Sequence, residues 1–203
     1  ASEEEHQRVE QYLTLHGTEL LSETYAIAQS EALIRGEKPT QTVLRWGNSL
    51  IPHDPLSKDP GDQFSETDPA NRFDYMLSNP PFGVTWGGKD GYQDQAEKLR
   101  ATRYTAGMPS TDDGALLFLQ TILAKMKPLA LGSSKVAIIF NGSPLSNGDC
   151  GSGESEIRRW ILENDWLDAI VMLPNELFYN TGIFSYIWLL RNDRTAIGRD
   201  GRI

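Results

Sequence analysis

The order of apolar segments along the chain is the feature that most limits its fold. Short runs of branched and aromatic residues, typical of strands, alternate with segments whose apolar residues recur every three or four positions, as in amphipathic helices. Residues 135–140 carry Val-Ala-Ile-Ile-Phe, a run typical of a strand that is buried on both faces. Because strands and helices alternate, the sequence predicts an α/β fold around an open sheet.

The expected elements follow from this pattern. The predicted strands cover residues 12–16, 42–46, 73–77, 135–140, 167–173 and 184–190. Helices are predicted between the first two strands and over residues 112–127 and 153–164. The helix over 112–127 has one apolar face, and Thr111 or Asp112 can cap its first turn. The polar segment 83–111 is predicted to be a loop, and a loop of this length is usually functional or mobile.

The composition limits which activities the chain can carry alone. It has 19 Lys and Arg against 28 Asp and Glu, which gives a net charge of −9 and a pI near 4.8. Non-specific DNA affinity comes largely from neutralised phosphates, so this balance argues against a stand-alone DNA-binding protein. The same charge balance is compatible with a catalytic module whose affinity for DNA is supplied by another subunit or segment.

Length and residue usage favour one domain over residues 1–203, since 203 residues are enough for a full core. The single cysteine, Cys150, excludes an internal disulfide and suits a cytoplasmic setting. No apolar run is long enough to cross a membrane, so no membrane association is expected. His6, His16 and His53 lack the spacing of metal ligands, and no metal site is predicted.

The strongest candidate for a functional motif is Asn79-Pro80-Pro81-Phe82, which closely follows the predicted strand 73–77. The two prolines fix φ and remove two N–H groups, so the turn is stiff and cannot extend the strand. The carbonyl oxygens of the Asn79 side chain and of Pro80 can then accept both hydrogens of one exocyclic amine. Phe82 offers a flat face for an extruded base. The same residues also fit a plain proline turn, with Phe82 in the core.

An amine held in this way keeps its lone pair free to attack a methyl donor. A methyl sulfonium is an activated electrophile, so the transfer requires no strong general base. The main work of such a site is to position the amine.

Several segments, in chain order, resemble the methyltransferase subunit of type I DNA restriction-modification systems. They are Gly17-Thr18-Glu19, Gly47-Asn48-Ser49-Leu50, and the segments 73–82, 113–119, 140–142, 156–158 and 173–183. The last segment, Leu-Pro followed by Leu-Phe-Tyr-x-Thr-Gly-Ile, is the most specific, because generic amine methyltransferases lack it. The resemblance therefore extends over nearly the whole chain.

This resemblance implies a Rossmann-like S-adenosylmethionine-dependent methyltransferase fold, with a mostly parallel sheet and helices on both faces. The family carries a glycine-rich Asp-x-x-x-Gly-x-Gly turn after its first strand, and nothing before Glu19 supplies it. We therefore expect a fragment that lacks the first strand, this turn and the flanking helical regions of the family. Residues 149–153 imitate the turn, but residues 142–148 separate them from the preceding strand, whereas such a turn must follow its strand directly.

The resemblance also implies roles for individual residues. Glu19 would bind the ribose hydroxyls of S-adenosylmethionine, and Asn48 would face the cofactor adenine where the family usually has aspartate. Leu50 would pack against the adenine ring, or would simply anchor its loop. At the turn, Asn79 and Pro80 would hold the target amine between them, with Pro81 stiffening the turn and Phe82 stacking on the base.

The implied function is methyl transfer from S-adenosylmethionine to adenine N6 in DNA, with the specificity and restriction subunits of a type I complex as partners. Three alternatives remain open. A protein glutamine methyltransferase normally has tyrosine at the position of Phe82, and a cytosine-N4 methyltransferase more often has serine before the two prolines. An inactive fragment that serves as an assembly module is favoured by Asn48 and by the missing glycine turn.

Aromatic and basic side chains alternate in the segment 83–111. This pairing suits phosphate contact and base stacking on DNA, but it also fits a solvated loop. The side chains concerned are Trp86, Lys89, Tyr92, Lys98, Arg100, Arg103 and Tyr104.

Overall fold

The computed structural model describes residues 2–3, 12–178, 182–198 and 201. The chain forms two compact units, Ala1–Phe64 and Ser65–Ile203. The single domain expected over residues 1–203 stays a prediction. Among the described residues, no helix has the length and apolar character needed to cross a membrane.

The first unit contains a strand–helix–strand motif. Strand β1 (Leu15–Glu19) and strand β2 (Thr42–Trp46) pair in parallel, and helix α1 (Ser22–Ile34) connects them. The prediction of β2 is confirmed, whereas β1 begins three residues later than expected. Its bounds are set by pairing with β2, which extends through Gly17 to Glu19, and not by the apolar residues at its start.

The second unit is built on a four-stranded sheet with the order β3-β4-β6-β5. Its strands are β3 (Tyr75–Ser78), β4 (Lys135–Phe140), β5 (Leu167–Met172) and β6 (Tyr186–Arg191). β3 is parallel to β4, and β6 is antiparallel to both of its neighbours. Three strands therefore run in one direction and β6 runs against them, so most strands share one direction, as the sequence predicts.

The helices of the second unit are α2 (Gln93–Glu97), α3 (Ala115–Ala124), α4 (Ser143–Ser146) and α5 (Gly153–Glu163). Both longer helices, α3 and α5, pack into one core on the same face of the sheet. Its members include Leu116, Leu119, Ile138, Phe140, Ile157, Ile161 and Trp188.

The order of the strands explains why α3 and α5 lie on one face of the sheet in the second unit. The chain crosses from β3 to β4 and then from β4 to β5, which are steps in the same direction across the sheet. Right-handed crossovers that step in one direction place their helices on one face. Helices reach the opposite face only where the direction of winding reverses, and it does not reverse between these strands.

Helix α3 is shorter than the predicted 112–127. Neither Thr111 nor Asp112 caps it: a carboxylate oxygen of Asp113 accepts the N–H of Ala115 at 3.0 Å. At the other end, Arg72 donates to the carbonyl of Ala124 and, at 3.3 Å, to that of Met126. The helix is therefore bounded by two side chains that satisfy its free terminal groups.

Candidate functional site

The Asn79–Phe82 turn begins where β3 ends. Ser78, the last residue of β3, lies opposite Ile138 in the neighbouring parallel strand β4, so the carboxyl ends of the two strands are adjacent. Asn79 is exposed, and within the described residues no hydrogen bond holds its side chain. Pro80 is buried and Phe82 is half-buried. The turn is thus anchored by Pro80, while the amide of Asn79 and part of the Phe82 ring are accessible to a ligand.

Three polar residues beside this turn were not predicted to be functional. Asn141 is the first residue after β4, and its side-chain oxygen accepts the N–H of Ser143 at 3.2 Å and the Ser143 hydroxyl at 2.7 Å. The Ser143 hydroxyl also contacts Asp113 Oδ2. We call Asp113, Asn141 and Ser143 the edge network. Two sequence signals could have indicated it: an acidic residue just before an apolar helix and an Asn-Gly-Ser turn after a strand.

The segment 83–111 is neither a solvated loop nor a surface of exposed aromatic side chains. It contains α2, and Trp86 and Tyr104 are 1% and 0% exposed. The N–H of Trp86 donates to the carbonyl of Thr111 at 2.8 Å, and its indole Nε1 donates to the carbonyl of Ser110 at 2.8 Å. Trp86 and Tyr104 therefore hold the segment against the unit and cannot stack on DNA. Lys89, Lys98 and Arg100 remain at the surface.

Arg103 is also buried, in an ion pair with Glu66. Its Nε donates to Glu66 Oε2 at 3.0 Å, and Nη2 contacts the same oxygen. Burial by itself would raise the pKa of Glu66, but the hydrogen bond and charge of Arg103, together with the charge of Lys125, bring that pKa below its usual value. In the same segment as Arg103, burial and the neighbouring Tyr104 raise the pKa of Tyr92 to about 12. Arg103 therefore serves packing and is not available to DNA phosphates.

The residues expected to bind the cofactor lie in the first unit, at the carboxyl ends of β1 and β2. Glu19 ends β1, is half-buried, and accepts the N–H of Leu21 on Oε1 at 2.9 Å. The N–H of Gly47 donates to the carbonyl of Glu19 at 3.0 Å, which brings Glu19 beside the segment that contains Asn48. A carboxylate at this place can accept hydrogen bonds from a pair of ribose hydroxyls.

Asn48 and Leu50 are more buried than their expected roles require. Asn48 is 5% exposed, and its side-chain oxygen accepts the N–H of Leu50 at 2.9 Å. Its own N–H donates to Asp59 Oδ1 at 2.9 Å. Leu50 is 1% exposed, as expected of a residue that anchors its loop. A groove of about 240 Å³ lies between α1 and β2, but Glu19, Asn48 and Leu50 do not line it.

The glycine-containing segment 149–153 begins a helix. Ser152 caps α5, because its hydroxyl oxygen accepts the N–H of Ser155 at 3.3 Å. A Cβ on Gly153 would collide with the carbonyl oxygen of Met108, so this glycine permits close backbone contact. Helix α4 lies between this segment and β4. The segment therefore does not form a cofactor turn directly after a strand.

The most family-specific run, residues 173–183, starts at the same edge of the sheet as the Asn79–Phe82 turn. Leu173 follows β5, and its N–H donates to the carbonyl of Ser185 at 2.9 Å. Tyr179 and Thr181 of this run lie outside the described residues, as does His6. In the part of the chain that is described, no group of three or more His, Cys, Asp or Glu side chains could hold a metal ion.

The fold is Rossmann-like and is shared with methyltransferase subunits of type I restriction-modification systems. The chain is similar to the crystal structure of the type I restriction-modification methyltransferase subunit from Streptococcus thermophilus, with a TM-score of 0.67 and 22% identity, over 87% of this chain and 33% of that one. It is also similar to the M protein of the type I restriction enzyme EcoKI, with a TM-score of 0.59 and 21% identity, over 87% of this chain and 30% of that one. The predicted fold class is confirmed.

The family follows from the sequence match. The model of the N-6 DNA methylase family matches residues 2–203, and the chain belongs to this family. It is 25% identical to the HindI methylase subunit of Haemophilus influenzae over 92% of this chain and 36% of that protein. It is 26% identical to the MjaIX methylase subunit of Methanocaldococcus jannaschii over 60% of this chain and 21% of that protein. The matches thus span only about a third or less of each relative's length.

Proposed function

We propose that this chain carries the target-base part of a DNA methyltransferase that transfers a methyl group from S-adenosylmethionine to adenine N6. The observation that carries the proposal is the Asn79–Phe82 turn, with Asn79 exposed, Pro80 buried and Phe82 half-buried at the end of β3. Membership of the N-6 DNA methylase family supports this target over a glutamine side chain.

The residues of the turn would act by holding the amine. The side-chain oxygen of Asn79 and the carbonyl oxygen of Pro80 would accept its two hydrogens, leaving the nitrogen lone pair directed away from them. Phe82 would stack on the extruded adenine, a contact with a typical value of about 1–3 kcal/mol. S-adenosylmethionine, when bound, supplies a methyl group on a positively charged sulfur. Transfer of that methyl group to the nitrogen would leave the donor as a neutral thioether, and one amine proton would pass to solvent water.

Glu19, Asn48 and Leu50 are the proposed cofactor contacts. The carboxylate of Glu19 would accept from the ribose hydroxyls, and its second oxygen supplements the one that accepts from Leu21. Asn48 would reach the cofactor adenine only through the small exposed part of its amide, since its oxygen already accepts from Leu50. Glu19 is therefore the strongest of the three candidates.

The proposed partners are DNA and the specificity and restriction subunits of a type I complex. Several relatives are methylase subunits of type I restriction enzymes, which supports a subunit role for this chain. Because neutralised phosphates supply much of the affinity for DNA and this chain has a net charge of −9, we propose that much of that affinity comes from outside this chain.

The experiment measures methyl transfer from tritiated S-adenosylmethionine to unmodified DNA by the full-length product of the gene with its specificity subunit. Asn79→Ala is expected to lower kcat by about 10²- to 10³-fold, the usual cost of removing one hydrogen-bonding group that acts in a transition state. Asn164→Ala removes an exposed amide at the end of α5 and should leave the rate unchanged.

Phe82 is tested in the same assay. Phe82→Tyr retains the aromatic face and should stay active, whereas Phe82→Ala should lose about tenfold or more in rate, as expected for one lost stacking contact. Wild-type activity in Asn79→Ala would remove the turn from the mechanism.

A further inference from the structure

The edge network of Asp113, Asn141 and Ser143 links two parts of the unit that lie beside the Asn79–Phe82 turn. Ser143 contacts both other members through its hydroxyl, and its N–H also donates to the Asn141 side-chain oxygen at 3.2 Å. Asp113 uses its second carboxylate oxygen, Oδ1, to accept the N–H of Ala115 at 3.0 Å. The network therefore joins the end of β4 to the start of α3.

The segment that leaves Phe82 is bonded to the residue next to Asp113. The N–H of Gly114 donates to the carbonyl of Val84 at 2.9 Å. A Cβ on Gly114 would lie 3.4 Å from that same oxygen and 3.5 Å from Trp86 Cδ1, so the two segments are closely packed here. The position of Val84, two residues after Phe82, thus depends on where Asp113 holds the start of α3.

The network also reaches the other side of the turn. Asn141 follows β4 directly, and β4 is the parallel neighbour of β3, with Ser78 opposite Ile138. Adjacent strands are about 4.8 Å apart, so the end of β4 supports the start of the turn at Asn79. One network therefore bears on both the entry and the exit of the turn.

We propose that Asp113, Asn141 and Ser143 are positioning residues that fix the Asn79–Phe82 turn for methyl transfer, an inference that rests on the proposed function. The two carbonyl oxygens must point at one nitrogen, and a displacement of about 1 Å from such geometry can cost about 10²-fold in rate. The network acts through Gly114 and Val84 and touches no substrate. A purely structural helix cap would leave the geometry of the turn unchanged.

The test compares matched variants of the full-length gene product in complex with its specificity subunit. Asp113→Ala and Ser143→Ala remove the network from either end, and Asp113→Asn retains an oxygen for Ala115 and a polar group for Ser143. Asp112→Ala is the control for charge, because Asp112 is the exposed neighbour of Asp113. Ser146→Ala is the control for a hydroxyl on α4 outside the network, which donates to the carbonyl of Gly142 at 3.2 Å.

Two readouts are taken: kcat and KM for DNA, and hydrogen–deuterium exchange of the peptides that cover residues 82–86 and 112–117. We expect Asp113→Ala and Ser143→Ala to lower kcat about tenfold or more, with KM changed less than about twofold, on the usual scale of misplacement effects. Exchange in residues 82–86 should rise in both variants. Asp113→Asn should restore most of the rate, and both controls should match the wild type.

Two results would overturn the inference: wild-type kcat in Ser143→Ala, or unchanged exchange at residues 82–86 in both network variants. Failure of the proposed function is a different result, in which the wild-type complex itself transfers no methyl group to adenine. The exchange arm is independent of activity, so it decides in that case too whether the network holds the turn.

Discussion

Glu66 and Arg103 form a buried ion pair, so we expect Arg103→Met to lower the free energy of unfolding substantially. The two side chains are 9% and 1% exposed, so either charge left alone would be poorly solvated. Removing one partner of a buried pair typically costs about 3–5 kcal/mol. Lys125, whose charge also lowers the pKa of Glu66, remains in the variant. We therefore expect the low end of this range, about 3 kcal/mol.

Urea unfolding followed by tryptophan fluorescence measures this effect. The control is Arg100→Ala, because Arg100 is 64% exposed and pairs with Glu97 at 3.4 Å. An exposed pair of this kind contributes about 0–1 kcal/mol. The double variant Glu66→Met/Arg103→Met should recover part of the loss, since it removes both charges of the pair. A free energy of unfolding equal to wild type for Arg103→Met would refute the reasoning, as would a double variant less stable than either single variant.

Three further outcomes follow from the same structure. The pKa of Glu66 is lower in the folded protein than its ordinary value, so its ionised form stabilises the fold at a pH above that ordinary value, and this stability is lost as the pH falls through the folded pKa. In Glu66→Gln, the free energy of unfolding measured against pH should therefore fall less steeply in this acidic range. Glu19→Ala should weaken S-adenosylmethionine binding by about 10- to 100-fold in calorimetry, the cost of charge-assisted hydrogen bonds of about 1.5–3 kcal/mol, and an unchanged Kd would exclude the ribose contact. Gly153→Ala should lower the melting temperature, because its Cβ meets the Met108 carbonyl, whereas Gly142→Ala meets only ordinary contact and should not.

The strands were the part of the fold most accessible to prediction. Residues 42–46 and 135–140 form β2 and β4 with the expected bounds, because their apolar pattern is local and strong. The bounds of β1 depend on its pairing with β2, and the start of α3 depends on Asp113, which Ser143 also contacts from 30 residues away. Such long-range contacts leave no periodic signal in the sequence.

The environment of the polar residues was harder to predict. Arg103 is of a residue type that often contacts DNA phosphates. Its partner Glu66, however, is 37 residues away in the sequence, and the pair is buried. Asn48 was expected to face a ligand, yet its oxygen closes a local turn with Leu50. Asparagine side chains in loops often accept the backbone N–H two residues further on, so this contact could have been anticipated.

The Asn79–Phe82 turn could be found from sequence because proline chemistry determines its shape locally. The sequence left open whether Phe82 is a core residue, and the structure shows a half-buried ring. The edge network was missed because its members come from two separate segments, one with Asp113 and one with Asn141 and Ser143, that only the fold brings together.

The identity of the methylated product tests the central claim most directly. DNA is incubated with deuterium-labelled S-adenosylmethionine and the full-length gene product in its complex, then digested to nucleosides and analysed by mass spectrometry. The proposed function predicts labelled N6-methyladenine whose initial rate of formation falls about 10²-fold or more in the Asn79→Ala variant and is unchanged in Asn164→Ala. Label found in N4-methylcytosine or in protein, or N6-methyladenine that persists undiminished in Asn79→Ala, would contradict it.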